Sequence, residues 1–200
     1  MIIKQLAMGY MDNFSYVVGC PVTGKAMVID PGPEVDLIIA AAKAADLTIE
    51  TIFNTHGHGD HTAGNRPLKT QTGAAIIIHH LDAECFPDAD RFLKDETTLF
   101  VGELKIDLIH TPGHTPGGVC LHVQKNLFTG DTLFVGDSGR TDLPGGHRLT
   151  LGASIRRLMA LADDTAIWPG HDYGPTPTST IGWEKANNVN AVEYGFYRKV

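Results

Sequence analysis

The sequence predicts an α/β fold in which two β-sheets pack face to face and helices cover their outer surfaces. The first observation is the order of the predicted elements. Strands, a helix, a strand and a helix are followed by further strands, a helix and a strand, an order typical of layered sheets and helices. The second observation is size, because 200 residues of which 42% are hydrophobic can form one domain with a substantial core. We therefore predict a single domain over residues 1–200.

The first half of the sequence predicts strands alternating with two helices. Apolar runs bounded by turn residues predict a β-meander at the start of the chain. Apolar residues at helical spacing predict an amphipathic helix after the Pro- and Gly-containing turn that follows Asp30. We predict strands over residues 2–8, 14–20, 26–30, 49–54 and 74–79, and helices over residues 34–45 and 62–71.

The second half of the sequence predicts a run of short strands and one long helix. Residues 82–96 are polar and are expected to be irregular or to form a short helix, and the sequence leaves open whether they cover a site as a lid. Further along, we predict strands over residues 99–101, 104–110, 119–123, 126–129 and 166–168, and an amphipathic helix over residues 149–162.

Charge and composition exclude several classes of partner. The net charge of −7 argues against nucleic acid, because phosphate binding requires clustered lysine and arginine. No run of about 18 apolar residues is present, so we expect no membrane contact. The 3 cysteines, Cys20, Cys85 and Cys120, are widely spaced and form no Cys-x-x-Cys pair, so we expect buried, reduced thiols and a cytoplasmic location.

The most informative segment of the chain reads Thr55-His56-Gly57-His58-Gly59-Asp60-His61. Three imidazoles and one carboxylate within six residues are the ligand types that zinc and iron prefer. The segment lies between a predicted strand and a predicted helix, where its two glycines allow a tight turn. The alternative is a surface loop that happens to be rich in histidine.

Further ligand-type side chains follow predicted apolar strands and precede glycine-rich turns. They are His114, Asp131, His171 and Asp30. Taken singly, such a histidine or aspartate is more often a turn or capping residue. Their joint occurrence with the histidine-rich segment instead predicts a metal site at one rim of the sheets, with Asp30 orienting a metal-bound histidine rather than binding the metal itself.

These positions, taken together, resemble the metallo-β-lactamase superfamily over nearly the whole chain. The resemblance implies a four-layer αββα sandwich that holds two divalent metal ions, with zinc favoured and iron or manganese as alternatives. It also implies a first metal site, a second metal site and a carboxylate that bridges them. The implied ligands are His56, His58 and His114 for the first site, Asp60, His61 and His171 for the second, and Asp131 for the bridge.

Within the superfamily, two sister groups are similar to this chain. Residues 11–16, 128–135 and 177–182 resemble glyoxalase II (hydroxyacylglutathione hydrolase). Residues 139–142 and 171–173, together with 179–181, also resemble persulfide dioxygenases. The first resemblance implies a thioesterase that cleaves glutathione-like thioesters with a metal-bound hydroxide, in which Asp60 and Asp131 take part in catalysis. The second implies one Fe(II) held by His56, His114 and Asp131. We favour the hydrolase, because a two-metal enzyme uses all of the ligand-type residues.

The remaining alternatives concern partners and substrate contacts. A non-catalytic metal-binding scaffold is disfavoured because no ligand position is lost. The helical insertion with which glyoxalase II holds glutathione is missing, and Asp142 replaces an aromatic residue, so the thiol carrier stays open. Arg140 is expected to bind a substrate carboxylate, with an ion pair to Asp142 or Asp137 as the alternative. Tyr173 is expected to donate a hydrogen bond to the substrate, with simple packing as the alternative. The expected partner is a small thiol-carrier molecule, and the sequence leaves a homodimer open.

Overall fold

Two six-stranded sheets form the centre of the computed structural model, which describes residues 1–9, 11–94 and 96–198. In each sheet the strand order follows the chain, with sequential strands as neighbours. The first sheet contains β1 (Ile2–Ala7), β2 (Phe14–Gly19), β3 (Lys25–Ile29), β4 (Thr48–Phe53), β5 (Ala75–His79) and β6 (Arg91–Leu93). The second contains β7 (Thr98–Val101), β8 (Leu104–His110), β9 (Val119–Val123), β10 (Asn126–Gly130), β11 (Ala166–Pro169) and β12 (Ser179–Thr180).

The helices lie outside the two sheets. They are α1 (Val35–Lys43), α2 (Gly59–Thr62), α3 (Asn65–Thr72), α4 (Arg148–Leu158) and α5 (Ile181–Asn187). Buried side chains of α1 and α3 pack on the first sheet, and those of α4 and α5 pack on the second. A separate apolar cluster fills the space between the sheets. The layers therefore follow the order helix, sheet, sheet, helix, which confirms the predicted sandwich.

Alternation along the strands explains why both faces of the first sheet are buried. In β2, Tyr16 and Val18 point into the cluster between the sheets, whereas Val17 packs toward the helices. Successive side chains of a strand point to opposite faces, so a strand covered on both sides is apolar throughout. All six residues of β2 are buried accordingly.

The predicted helix over residues 62–71 is wrong in its bounds, because the structure divides the segment into α2 and α3. Gly64 lies at the division, and its N–H donates to the carbonyl oxygen of Pro31 at 2.9 Å. A Cβ atom at this position would lie 2.3 Å from the carbonyl oxygen of Gly32. The chain therefore bends here to let glycine approach the turn that follows β3.

Three elements lie outside the sequence predictions. The segment 82–96, expected to be irregular or a short helix, contains β6, and its residue 95 lies outside the described residues. β12 and α5 were also not predicted, because two strand residues and seven helical residues are too few for a clear periodic pattern. The Thr180 side chain caps α5 by accepting a hydrogen bond from the Trp183 N–H at 3.2 Å.

Two further sequence predictions can be compared with the described residues. None of the helices described is both long enough and apolar enough to cross a membrane. Cys20, Cys85 and Cys120 are all free thiols in the structure. Cys20 and Cys120 are buried as expected, but Cys85 is exposed.

Candidate metal centre

The predicted ligand residues meet at one rim of the sandwich because each follows the carboxyl end of a strand. Asp30 follows β3, and the segment from His56 to His61 follows β4. His114 lies in the loop after β8, Asp131 directly follows β10, and His171 follows β11 after one further residue, Gly170. Parallel alignment of β3 with β4 and of β10 with β11 brings these ends to the same side.

One group of three imidazoles forms the first triad, His56, His58 and His114. The Nδ1 atom of His58 lies 3.0 Å from His56 Nε2 and 2.9 Å from His114 Nε2. Four ligands arranged tetrahedrally around zinc at about 2.05 Å would lie about 3.3 Å apart, close to these spacings. The three nitrogen atoms therefore converge on a volume the size of a metal ion.

A second group, Asp60, His61 and His171, forms the second triad. The Nε2 atoms of His61 and His171 are 3.1 Å apart. The Asp60 Oδ2 atom lies 3.3 Å from His61 Nε2 and 3.5 Å from His171 Nε2. The donor atoms of this triad also lie close enough together to share one ion.

Asp131 lies between the two triads. Its Oδ2 atom is 3.4 Å from His114 Nε2 in the first triad and 3.2 Å from His171 Nε2 in the second. Its Oδ1 atom is 3.3 Å from His61 Nε2. The carboxylate thus has the position that a bridge between two metal ions requires.

The outward-facing nitrogen of most of these imidazoles has its own partner. His61 Nδ1 lies 3.0 Å from Asp30 Oδ2, as expected for a carboxylate that orients a histidine. His114 Nδ1 lies 2.7 Å from the carbonyl oxygen of Arg140, and His171 Nδ1 lies 2.9 Å from that of Met11. Such contacts fix the ring orientation and direct the other nitrogen toward the centre.

The pKa values of two members of the first triad, His56 and His58, favour neutral imidazoles. Burial lowers the pKa of His56 well below its ordinary value, and the neighbouring His61 lowers it further. Burial also lowers the pKa of the half-buried His58, with a further contribution from His114. Neutral imidazole is the form that binds a metal ion, so these side chains are ready to act as ligands.

Carboxylates reverse the direction of the pKa shift in the second triad. Burial acts to lower the pKa of His61, but Asp131 and Asp30 outweigh it and raise the pKa well above its ordinary value. Burial likewise opposes ionisation of Asp131, but the charge of His61 keeps the pKa of this carboxyl well below its usual range. Three carboxylates, Asp30, Asp60 and Asp131, thus surround the His61 ring and favour a positive charge at this position.

The donor atoms fit a metal better than they fit one another. His58 Nδ1 has a single site for a proton or a lone pair, yet it is within hydrogen-bond distance of two other imidazole nitrogens. Asp131 Oδ1 is buried and accepts no hydrogen bond within the described part of the chain. Such orphaned polar atoms are costly unless a further group satisfies them, and a cation shared by nitrogen and carboxylate ligands would do so.

A cavity of about 450 Å³ opens beside the two triads. Its apolar lining includes Met11, Phe134 and Leu143. A volume in this range is typical of sites for small molecules. None of the residues that line the cavity comes from the described part of segment 82–96.

The two predicted substrate-binding residues, Arg140 and Tyr173, both line this cavity. The guanidinium group of Arg140 also donates two hydrogen bonds to Asp142, with Nε–Oδ1 at 2.6 Å and Nη2–Oδ2 at 2.7 Å. This pairing lowers the pKa of Asp142 to about 2. Tyr173 stacks on the His171 ring at 4.6 Å between centroids, and its hydroxyl donates to the Met11 carbonyl oxygen at 3.3 Å.

Sequence reasoning missed Asp82, a buried carboxylate beneath the ligand loops. It accepts hydrogen bonds from the loop containing His58 and from the loop containing His114. Asp82 lies in the segment expected to be irregular, and a lone aspartate there carries no local signal.

Sequence reasoning also missed how the C-terminal part of the chain supports the cavity wall, by which we mean the lining around Asp137, Arg140 and Tyr173. Glu184 is fully buried and accepts a hydrogen bond from the Gly136 N–H at 3.1 Å. Asn188 donates to the Asp137 carbonyl oxygen at 3.0 Å, and Asn190 donates to the Asp137 Oδ1 atom at 2.8 Å. Asp137 lines the cavity, so the wall depends on residues far along the chain.

Comparison with known proteins agrees with this geometry. The family model described as metallo-beta-lactamase superfamily matches residues 9–171. A hydroxyacylglutathione hydrolase from Polaromonas sp. (strain JS666 / ATCC BAA-500) is 36% identical over 178 residues, which cover 86% of this chain and 67% of that protein.

Solved structures resemble the whole chain. The crystal structure of ETHE1 from Myxococcus xanthus superposes with a TM-score of 0.90 at 32% identity, covering 98% of this chain and 88% of that one. TTHA1623 in a di-iron-bound form superposes with a TM-score of 0.80 at 29% identity, covering 93% of this chain and 98% of that one.

Proposed function

The chain belongs to the metallo-β-lactamase superfamily, and we propose that it is a metal-dependent hydrolase that cleaves thioesters of a small thiol carrier. The observation that carries this proposal is the convergence of two complete ligand triads on one shared carboxylate, Asp131. A relative named hydroxyacylglutathione hydrolase supports the reaction class.

We assign one divalent metal ion to each triad. The first would be held by His56, His58 and His114, and the second by Asp60, His61 and His171, with Asp131 shared between them. Bound metal ions of this kind supply a hydroxide nucleophile at neutral pH and polarise a carbonyl oxygen, since they lower the pKa of water from 15.7 to about 7. The nitrogen and carboxylate donors favour zinc, and they also suit iron or manganese.

The side chains around the triads hold this arrangement during the reaction. Asn13 donates to Asp60 Oδ2 at 3.0 Å, which fixes the carboxylate with its oxygen toward the cavity. Asp30 Oδ2 lies 3.0 Å from His61 Nδ1, on the side of the ring away from the centre. We infer that these contacts keep in place Asp60 and the His61 ring, which in turn lies 3.3 Å from Asp131 Oδ1. Asp60 and Asp131 would then orient the attacking water and accept its proton.

The cavity lining would receive the substrate beside the triads. Met11, Phe134 and Leu143 provide an apolar surface for its acyl or thiol part. The Tyr173 hydroxyl would donate to a substrate oxygen in place of the Met11 carbonyl. Arg140 would bind a substrate carboxylate by exchanging it for Asp142. The thiol carrier, the cytoplasmic location and a homodimer remain predictions.

Metal identity is the first test of this proposal. We expect protein produced in medium supplied with zinc and iron to contain about two metal ions per chain by mass spectrometry. The same preparation should hydrolyse short-chain thioesters, and removal of metal with a chelator should abolish that activity. Absence of hydrolysis with two ions bound would reject the thioesterase assignment.

A mononuclear Fe(II) persulfide dioxygenase is the second candidate. His56, His114 and Asp131 supply two imidazoles and one carboxylate, the ligand set of iron oxygenases, and Asp131 Oδ2 lies 4.0 Å from His56 Nε2 and 3.4 Å from His114 Nε2.

Two histidine variants separate the candidates. Under the dioxygenase assignment, His58→Ala retains iron whereas His114→Ala loses it, and the wild type consumes oxygen with a persulfide substrate. Under the hydrolase assignment both variants lose metal from the first triad. Equal iron loss in the two variants would count against the mononuclear site.

A further inference from the structure

We propose that Asp82 is a positioning residue that joins the two ligand loops of the first triad and thereby sets the affinity of that triad for metal. The inference rests on the metal assignment of the proposed function. It concerns a residue that makes no contact with the metal-facing atoms and lies at the end of the 3₁₀ turn His80–Asp82, directly after β5.

Three hydrogen bonds connect Asp82 to the two loops. The Gly57 N–H, which lies between His56 and His58 in the chain, donates to Oδ2 at 2.9 Å. The Thr115 hydroxyl, adjacent to His114, donates to the same oxygen at 2.8 Å. The Gly117 N–H donates to Oδ1 at 2.7 Å. One carboxylate thus fixes the spacing between loops that are far apart in sequence.

The burial of Asp82 makes these hydrogen bonds energetically important. Asp82 is 2% exposed, and the donors that satisfy it are neutral backbone and hydroxyl groups. A buried carboxylate is stable only when hydrogen-bonded, and each donor that loses its acceptor becomes an unsatisfied buried group. Displacement of either loop therefore has an energetic cost that grows with the number of bonds broken.

Close packing around Asp82 explains two glycines of the ligand loops. A Cβ atom on Gly117 would lie 2.6 Å from Asp82 Cγ, and one on Gly57 would lie 2.5 Å from the Cβ atom of Cys85. The glycines therefore permit both a tight turn and the direct approach of the segment around Asp82. No larger residue fits at either position without displacing that segment.

The second triad is held differently, which makes the proposal selective. His61 is oriented by Asp30, and His171 by the Met11 carbonyl oxygen. Asp82→Asn keeps the side-chain shape but replaces one acceptor oxygen with a donor. Loss of such an indirect contact typically lowers metal affinity 10- to 100-fold. We expect that loss in the first triad, with the second triad unchanged.

The test is a titration of metal-free protein with Zn²⁺ against a competing chromophoric chelator, which resolves the two binding steps. Asp82→Asn should weaken one step by about 10- to 100-fold and leave the other unchanged. Asp88→Asn is the matched control, because Asp88 is an exposed carboxylate of the same segment that pairs with Arg66. It should leave both steps unchanged.

A purely structural role for Asp82 would give a different result, because general destabilisation lowers the melting temperature of the metal-free protein and weakens both steps together. Thr115→Val removes a single donor, so it provides a second variant if Asp82→Asn does not fold, and it should weaken the same step to a smaller degree. Substitution with Co²⁺ should show altered visible absorption bands for the first triad only.

Both steps within threefold of wild type in Asp82→Asn, or in Thr115→Val if Asp82→Asn does not fold, would overturn the inference while leaving the proposed function intact. Equal weakening of the two steps would also overturn it. Absence of any zinc binding by the wild type would instead reject the metal assignment itself, and the inference with it.

Discussion

The ligand rim and the cavity wall, although adjacent, are held with very different rigidity. The rim consists of the two triads and Asp131, and all of its residues except His58 and Asp60 are buried. The rings of His61, His114 and His171 make short contacts on the side away from the centre. The wall around Arg140 and Tyr173 is open to solvent, and Tyr173 is 53% exposed. The difference indicates that the chemistry is fixed by the rim, while the choice of substrate can change through the wall.

The charged pairs of the two regions show the same contrast. The Asp30 carboxylate and the His61 ring are buried, and Asp30 also accepts hydrogen bonds from the Thr55 N–H and hydroxyl groups. The Arg140 and Asp142 side chains are 62% and 67% exposed, so water screens their attraction and they can exchange partners. We therefore expect substitutions in the rim to remove activity and substitutions in the wall to change substrate preference.

The largest expected effect is that of Asp131→Ala. The variant loses the carboxylate shared by the two triads, so thioester hydrolysis should fall by at least about 1000-fold, equivalent to about 4 kcal/mol of transition-state stabilisation. Circular dichroism should show that the fold is retained. Asp164→Ala, which removes an exposed aspartate paired with Lys125, is the control. Activity within tenfold of wild type would show that Asp131 does not bridge.

An intermediate effect is expected for Glu184→Gln, which removes hydrogen bonds that support the wall but changes no residue of the rim. The substituted side chain has an NH₂ group in place of one carboxylate oxygen. Where this group faces donors such as the Gly136 N–H and the Asn188 side chain, the hydrogen bonds of the wild type are lost. KM for thioesters should rise severalfold, whereas metal content should equal that of wild type. A drop in metal content with unchanged KM would contradict the separation of wall and rim.

The same variant has a predicted pH dependence. Burial raises the pKa of Glu184 above its ordinary value of 4.5 despite its hydrogen bonds. The ordinary pKa of 4.5 applies to the unfolded state, and the raised pKa applies to the native state. At pH values between the two, the native state binds more protons than the unfolded state, so the wild type becomes less stable as pH rises through this range. Glutamine does not titrate. The destabilisation by Glu184→Gln should therefore be greatest near about pH 4 and smaller near about pH 8 in urea denaturation of metal-free protein.

The smallest effect is expected for Arg140→Ala. If Arg140 binds a substrate carboxylate, KM should rise a fewfold for carboxylate-bearing thioesters, with kcat nearly unchanged. Neutral thioesters should be unaffected. Asp142→Asn should have the opposite effect, because it frees the guanidinium group. An equal change of KM for charged and neutral thioesters would show that the Arg140–Asp142 pair is only structural.

Sequence alone predicted which residues meet at the rim, because the signal is local. The segment from His56 to His61 shows its ligand types within six residues, and each remaining ligand follows an apolar strand. The bounds of β8 and β9 were also predicted correctly, since β8 begins with alternating apolar and polar residues, β9 is a mostly apolar run, and turn residues flank both.

The supports of the site could not be predicted, because their partners are distant in sequence. Asp82 is 25 residues from Gly57 and 35 from Gly117, and Glu184 is 48 from Gly136. The residue types show no pattern until the fold brings them together. The Arg140–Asp142 pair was foreseen as an alternative because the two residues are close in the chain.

The dependence of the cavity wall on Glu184 and Asn190 also orders events during protein synthesis. Asn190 follows its wall partner Ser138 by 52 residues, an interval of about 3 to 10 s on the ribosome. Every ligand position, including His171, is translated before Glu184. A nascent chain can therefore possess its whole set of metal-binding side chains while the substrate cavity still lacks a fixed wall.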